Sequence, residues 1–100
     1  MTVRFRSQLL EECYRQHRRG VREWGKEVAK RYIERINVLY RVKSAAELSA
    51  FPALKFHPLR GDRQGQFAIK LTGFTRLIVS FDDQAMTIVQ VAEVSKHYGD

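Results

Sequence analysis

Gln66-Phe67-Ala68-Ile69-Lys70-Leu71-Thr72-Gly73-Phe74-Thr75-Arg76-Leu77-Ile78-Val79-Ser80-Phe81 decides the fold, because here the hydrophobic period shortens to two residues. Phe67, Ile69 and Leu71 alternate with Ala68 and Lys70, and Leu77, Val79 and Phe81 alternate with Arg76, Ile78 and Ser80. Each half therefore reads as a strand with one apolar face. Thr72-Gly73-Phe74-Thr75 reads as the hairpin turn between them. Downstream, Asp82-Asp83-Gln84-Ala85 reads as a second turn and Met86 to Val94 as a last strand. That strand is apolar on both faces through Ile88, Val89 and Val91, which suits a central or helix-covered position.

Upstream of this meander the period is helical. Thr2 to Arg6 alternates apolar and basic residues and reads as a short strand with Val3 and Phe5 on one face. Ser7 can cap a helix in which Leu9, Leu10, Cys13, Tyr14 and His17 recur at helical spacing, and Gly20 can end it. A longer helix is expected from about Val21 to Arg41, with Trp24, Val28, Tyr32, Ile36 and Leu39 on one stripe widened by Ile33 and Tyr40. Two antiparallel helices joined at Gly20 are the simplest reading. Glu23 and Glu27 precede Lys26, Lys30 and Arg31 at helical spacing, so part of the charge is expected to be surface pairing. Ser44-Ala45-Ala46-Glu47 fits a capping box and predicts a short third helix that stops before Pro52.

A chain of 100 residues with 44% hydrophobic content suits one domain, residues 1–100, with a single core. Lys and Arg number 18 against 11 Asp and Glu, a formal charge of +7, which favours a polyanionic partner: nucleic acid first, an acidic protein second. Cys13 is the one cysteine, so no intramolecular disulfide can form. No segment approaches the roughly 18 apolar residues of a membrane span, and the expectation is a soluble, cytoplasmic chain. There is no glycine-rich phosphate loop, no Cys/His set at metal spacing and no nucleophile elbow, so no cofactor or metal is expected. The basic helix residues Arg15, Arg18, Arg19, Arg22 and Lys26 fit either ribosomal RNA backbone or a solvated face.

Between the helices and the meander lies Leu54-Lys55-Phe56-His57-Pro58-Leu59-Arg60-Gly61-Asp62-Arg63. Pro58 biases His57 toward an extended backbone and Gly61-Asp62 is a turn signal, so His57 and Arg60 are expected on an exposed bend. The run from His57 to Arg63, with the strand Gln66 to Leu71 and then Thr75-Arg76-Leu77, resembles the HigB branch of the RelE/ParE toxin superfamily. The element order matches the RelE-like fold that the resemblance implies. That fold is α+β, a twisted antiparallel sheet with two N-terminal helices and a short third packed on one face.

The resemblance implies the toxin of a type II toxin–antitoxin system, an endoribonuclease that cuts messenger RNA on the ribosome. Its partners would be a cognate antitoxin protein, in a hetero-tetramer as one assembly, the ribosome and mRNA, with no membrane. Metal-free cleavage needs a base for the ribose 2′-hydroxyl, an acid for the leaving 5′-oxygen and cations for the phosphorane, and gives a 2′,3′-cyclic phosphate. His57 matches the histidine of the family run; read alone, it could be a surface turn residue. Arg60 stands where relatives often carry lysine and is otherwise a solvated turn residue. Arg76 is expected to face the scissile phosphate, with a salt bridge to Glu93 or Asp62 as the alternative. His97 and Tyr98 supply an imidazole and a phenol in an order swapped relative to the branch, and could equally be a frayed tail. Lys55, Arg63, Lys70 and Lys96 are expected to hold RNA. The other readings of this scaffold are a ParE-like poison of DNA gyrase, which needs none of these histidines, and a basic RNA-binding module without activity.

Overall fold

The computed structural model describes residues 1–96. The chain runs β1 (Thr2–Phe5), α1 (Gln8–Arg15), α2 (His17–Trp24), α3 (Lys26–Arg41), 3₁₀ turns at Ala45–Ala50 and Pro52–Leu54, β2 (His57–Pro58), a 3₁₀ turn at Gly61–Arg63, β3 (Phe67–Lys70), β4 (Thr75–Phe81) and β5 (Ile88–Lys96). Among the described residues the sheet has five strands in the order β1-β5-β4-β3-β2. The meander β2 to β5 is antiparallel, and β1 returns beside β5 in parallel.

The alternation over residues 66–81 does what its period predicts. Ile69, Leu71, Leu77 and Val79, with Val89 and Val91 of β5, form one face of the sheet, and Leu10, Cys13, Tyr32, Ile36 and Leu39 of the helices close over it. Ala68 and Ile78, with Ala92, point to the opposite face and form a small separate cluster under Leu59. The β4–β5 register slips by one residue, from Ile78↔Glu93 to Val79↔Val91, so Ala92 is the extra residue of a bulge. The three helices among the described residues therefore cover one face, and none of them lies on the other, the open face.

Ser7 caps α1 as its residue type predicts, its Oγ accepting the Leu10 N–H at 3.2 Å. The helices divide differently from the expected pair. The breaks fall at Gln16 and at Gly25, giving three helices. Gly25 stands at φ 87°, a region favouring glycine, and ends α2. Gly20, read as a terminator, is instead buried inside α2, where an added Cβ would meet the Ala29 Cβ at 3.2 Å. Its missing side chain lets α2 lie close against α3. The fully buried Tyr32 donates its hydroxyl to the Leu10 carbonyl at 2.7 Å and ties α3 to α1; burial drives its phenol well above the usual range.

Three further expectations are corrected. The third helix is a 3₁₀ segment, and the capping box is not made: the Ser44 side chain makes no capping bond, and the Glu47 carboxylate accepts the Lys43 N–H instead, at 3.1 Å. Among the described residues the helix charges pair as Arg15–Glu11, Arg19–Glu12, Arg19–Glu23 and Arg31–Glu34, not as Glu23 or Glu27 with Lys26, Lys30 or Arg31. The last strand begins at Ile88, because Asp83 gathers the turn before it. Its carboxylate accepts the Thr87 hydroxyl at 2.5 Å and the Thr87 and Ile88 N–H groups at 2.9 Å, and Met86 takes a positive φ of 56°.

Candidate functional site

Residues paired across neighbouring strands share a face, so the register alone assembles most of the site. His57, Ala68, Ile78 and Glu93 form one row across the open face, and Lys70, Arg76 and Ser95 form the next. At the usual strand spacing His57 and Glu93 stand roughly 14 Å apart, with the buried Ala68 and Ile78 as an apolar floor between them. The segment after β2 folds back over this floor through Leu59, whose N–H donates to the Gln66 carbonyl at 2.9 Å. Apolar floor, imidazole, guanidinium and ammonium groups thus share one side of the sheet.

His57 is half-buried at the sheet edge, and its Nδ1 lies 2.7 Å from the Lys55 carbonyl oxygen. A carbonyl only accepts, so Nδ1 carries the proton and the lone pair of the neutral ring is on Nε2. The residue that accepts this bond has an unusual backbone. Lys55 ends the Pro52–Leu54 turn at φ 47°, ψ 43°, left-handed and uncommon for a residue with a Cβ, and this turn aims its carbonyl at the imidazole.

Arg63 donates to the Glu93 carboxylate at 2.8 Å and to Gln66 Oε1 at 3.5 Å. The guanidinium expected to hold RNA therefore already braces the segment over the face. Glu93, weighed in the sequence as a partner for Arg76, belongs to Arg63. Arg76 is half-buried on the open face, as expected, and its Nη1 donates to the Thr72 carbonyl at 2.8 Å and the Thr75 carbonyl at 3.0 Å. These bonds fix the guanidinium beside the β3–β4 turn, next to Lys70. Arg60 is exposed at the bend, and no carboxylate among the described residues pairs with it.

The structure brings together His57, Lys55, Arg63, Lys70 and Arg76, with Arg60 at the rim. It does not bring Lys96, which pairs with Thr75 and so points to the helix-covered side, lining a hollow with Trp24, Val28 and Glu23. His97 and Tyr98 lie outside the described residues. Sequence reading missed Glu93 as the counter-charge of Arg63, and Arg31 and Arg35 beside Lys70; their i,i+4 spacing on one helix face was the available signal. On the helices, Arg15 and Arg19 are paired, whereas Arg18, Arg22, Lys26 and Lys30 make no ion pair among the described residues. No group of three His, Cys, Asp or Glu among the described residues could hold a metal ion, and no helix there is long and apolar enough to cross a membrane.

No family model matches the chain, and no curated protein sequence matches it. Solved structures do. A YoeB/ParE toxin from Agrobacterium tumefaciens superposes with a TM-score of 0.58 at 19% identity, over 98% of this chain and 100% of the other. A YoeB–YefM complex from Staphylococcus aureus, and a second structure described as its heterotetrameric toxin–antitoxin complex, each give 0.55 at 20% identity over 98% of both chains. The fold is shared with these YoeB and ParE toxins, an α+β fold of the kind the resemblance in the sequence implied; these neighbours do not single out the HigB branch.

Proposed function

We propose that this chain, which carries the fold of the YoeB and ParE toxins, is the toxin of a type II toxin–antitoxin pair and cuts messenger RNA on the ribosome without a metal. The supporting observation is the open sheet face, where His57, Lys70 and Arg76 stand on adjacent rows over an apolar floor that a base can cover. In the reaction the 2′-oxygen attacks phosphorus and its proton passes to a base. The bond to the 5′-oxygen breaks, and that oxygen takes a proton from an acid, leaving a 2′,3′-cyclic phosphate and a 5′-hydroxyl. His57, oriented by the Lys55 carbonyl, is one of the two proton-transfer groups, and His97 or Tyr98 is the other. Arg76 and Arg60 neutralise the phosphorane, with Lys55, Lys70 and Arg63 holding the strand around it. The antitoxin is a cognate protein that covers this face, in a hetero-tetramer with the toxin, and the chain works in the cytoplasm.

A second reading follows from the ParE-type fold: a non-enzymatic poison of DNA gyrase. One experiment separates them. Purified protein is added to a translating extract and, in parallel, to gyrase with supercoiled DNA. Cuts inside codons with cyclic phosphate ends support the nuclease, trapped DNA breaks support the poison, and neither leaves a basic binding module without activity.

A further inference from the structure

Beside the sheet edge the chain forms a second basic recess. Arg31 and Arg35 stand one turn apart on α3, and Arg35 Nε donates to the Lys70 carbonyl at 2.9 Å, which anchors its stem against the end of β3. Facing them are Lys55, in its left-handed turn, and Thr72 and Gly73 of the β3–β4 connection. Together with Lys70 these residues line a cleft of about 310 Å³, at the small end of ligand-sized recesses. Four of the lining groups are cations and one, Glu27, is a carboxylate. Among the described residues only Arg31 has an ion pair, a 3.7 Å contact to Glu34; Arg35, Lys55 and Lys70 have none. Burial, and after it the nearby Arg31, pull the Arg35 guanidinium below its usual range, as happens to a cation held without enough counter-charge.

We propose that this cleft binds a backbone phosphate of single-stranded RNA, the neighbour of the phosphate held at His57 and Arg76. Two connections make the cleft and the open face continuous: Lys55 lies two residues from His57 and accepts its Nδ1–H, and Lys70 is the cross-strand partner of Arg76. A strand leaving the open face at this edge passes into the cleft, where guanidinium groups can clamp a phosphate through two oxygens. The inference rests on RNA being the substrate and does not require that the chain cut it.

The test is fluorescence anisotropy with a short 2′-O-methylated oligoribonucleotide, which cannot be cleaved, over a range of salt concentrations. Arg31→Gln with Arg35→Gln is compared with a charge-matched control, Arg6→Gln with Lys43→Gln. The cleft variant is expected to bind about tenfold or more weakly. Its plot of log affinity against log salt should lose about 0.7 of slope, one phosphate contact on a single strand. The control should keep the slope. Equal losses in both, or no binding by the unaltered protein, overturn the proposal. Because Arg35 also bonds the β3 backbone, Arg31→Gln and Lys70→Gln alone, with melting curves like the unaltered protein, carry the same test if the double variant misfolds. Binding through the cleft by a protein that cuts no message removes the nuclease reading and leaves the cleft standing. Cutting that is unaffected by cleft variants whose RNA affinity is also unchanged does the reverse.

Discussion

Replacing Lys55 by glycine should stabilise the protein while weakening its hold on RNA. The left-handed backbone at φ 47°, ψ 43° costs a residue with a Cβ roughly 1–2 kcal/mol and costs glycine almost nothing. Glycine loses roughly 0.5–1 kcal/mol of this gain through its freer unfolded chain. Little else changes: the lysine is exposed, no ion pair among the described residues holds it, and its bonds to the Pro52 carbonyl and from His57 Nδ1 use backbone atoms. The balance is a stabilisation centred on about 0.75 kcal/mol, or about 3–6 °C in Tm for a domain of this size. Loss of the ammonium should weaken binding of an uncleavable oligoribonucleotide several-fold and flatten its salt dependence. Thermal melts followed by circular dichroism and anisotropy titrations read the two effects. A lower Tm would mean that the turn is not strained or that the side chain supports the fold. An unchanged affinity would take Lys55 out of the RNA site.

Three further outcomes follow from the core and the turns. Tyr32→Phe keeps the ring against Trp24 but removes the bond to the Leu10 carbonyl, and should cost about 1–2 kcal/mol, read as a lower urea midpoint with unchanged slope. Gly20→Val drives a branched side chain toward Ala29 and should destabilise by about 1–3 kcal/mol; a neutral result would mean that α2 and α3 separate freely. The Asp83 carboxyl is held below the usual aspartate range by the Thr87 hydroxyl and then by the Ile88 and Thr87 N–H groups. Its folded pKa is depressed, so the stability it supplies is present above the ordinary aspartate value and lost as pH falls through the lowered one. Asp83→Asn should therefore unfold earlier than the unaltered protein at neutral pH, and the gap should narrow only below about pH 4; a gap constant with pH would contradict the assignment.

The residues that gave the fold away are those whose pattern is local. The two-residue period of residues 66–81 and the Ser7 cap describe a chain segment by itself, and both appear as read. The division of the helices was hidden because two glycines compete for the terminator role, and only the approach of Ala29 decides between them. Gly20 is glycine for packing and Gly25 for its backbone angle, a difference that spacing does not carry. The final strand begins two residues later than its apolar pattern predicts, because Met86 takes a positive φ and the Asp83 carboxylate holds Thr87 in the turn. The parallel return of β1 to β5 joins the two ends of the chain and leaves no local trace.

The candidate site was legible through its residue types and not through its partners. Arg76 reaches the open face by strand alternation, which a sequence shows; His57, expected on an exposed bend, instead pairs with Ala68 as part of the edge strand β2 and is half-buried. The pairing of Arg63 with Glu93, and the recruitment of Arg31 and Arg35 to Lys70, are long-range contacts fixed by how α3 and the bulged β5 lie on the sheet. Lys96 was misplaced for a related reason: the bulge at Ala92 shifts the alternation of β5 by one residue, so the end of the strand turns to the helix side.

The central claim is that His57 moves a proton in RNA cleavage on the open face. The most direct measurement is the single-turnover rate of message cutting on programmed ribosomes for the unaltered protein and for His57→Gln, with oligoribonucleotide binding measured alongside. A rate lowered about a hundred- to ten-thousand-fold with binding kept is the predicted result. A His57→Gln protein that cuts at the unaltered rate, or an unaltered protein that leaves the message whole, would contradict it.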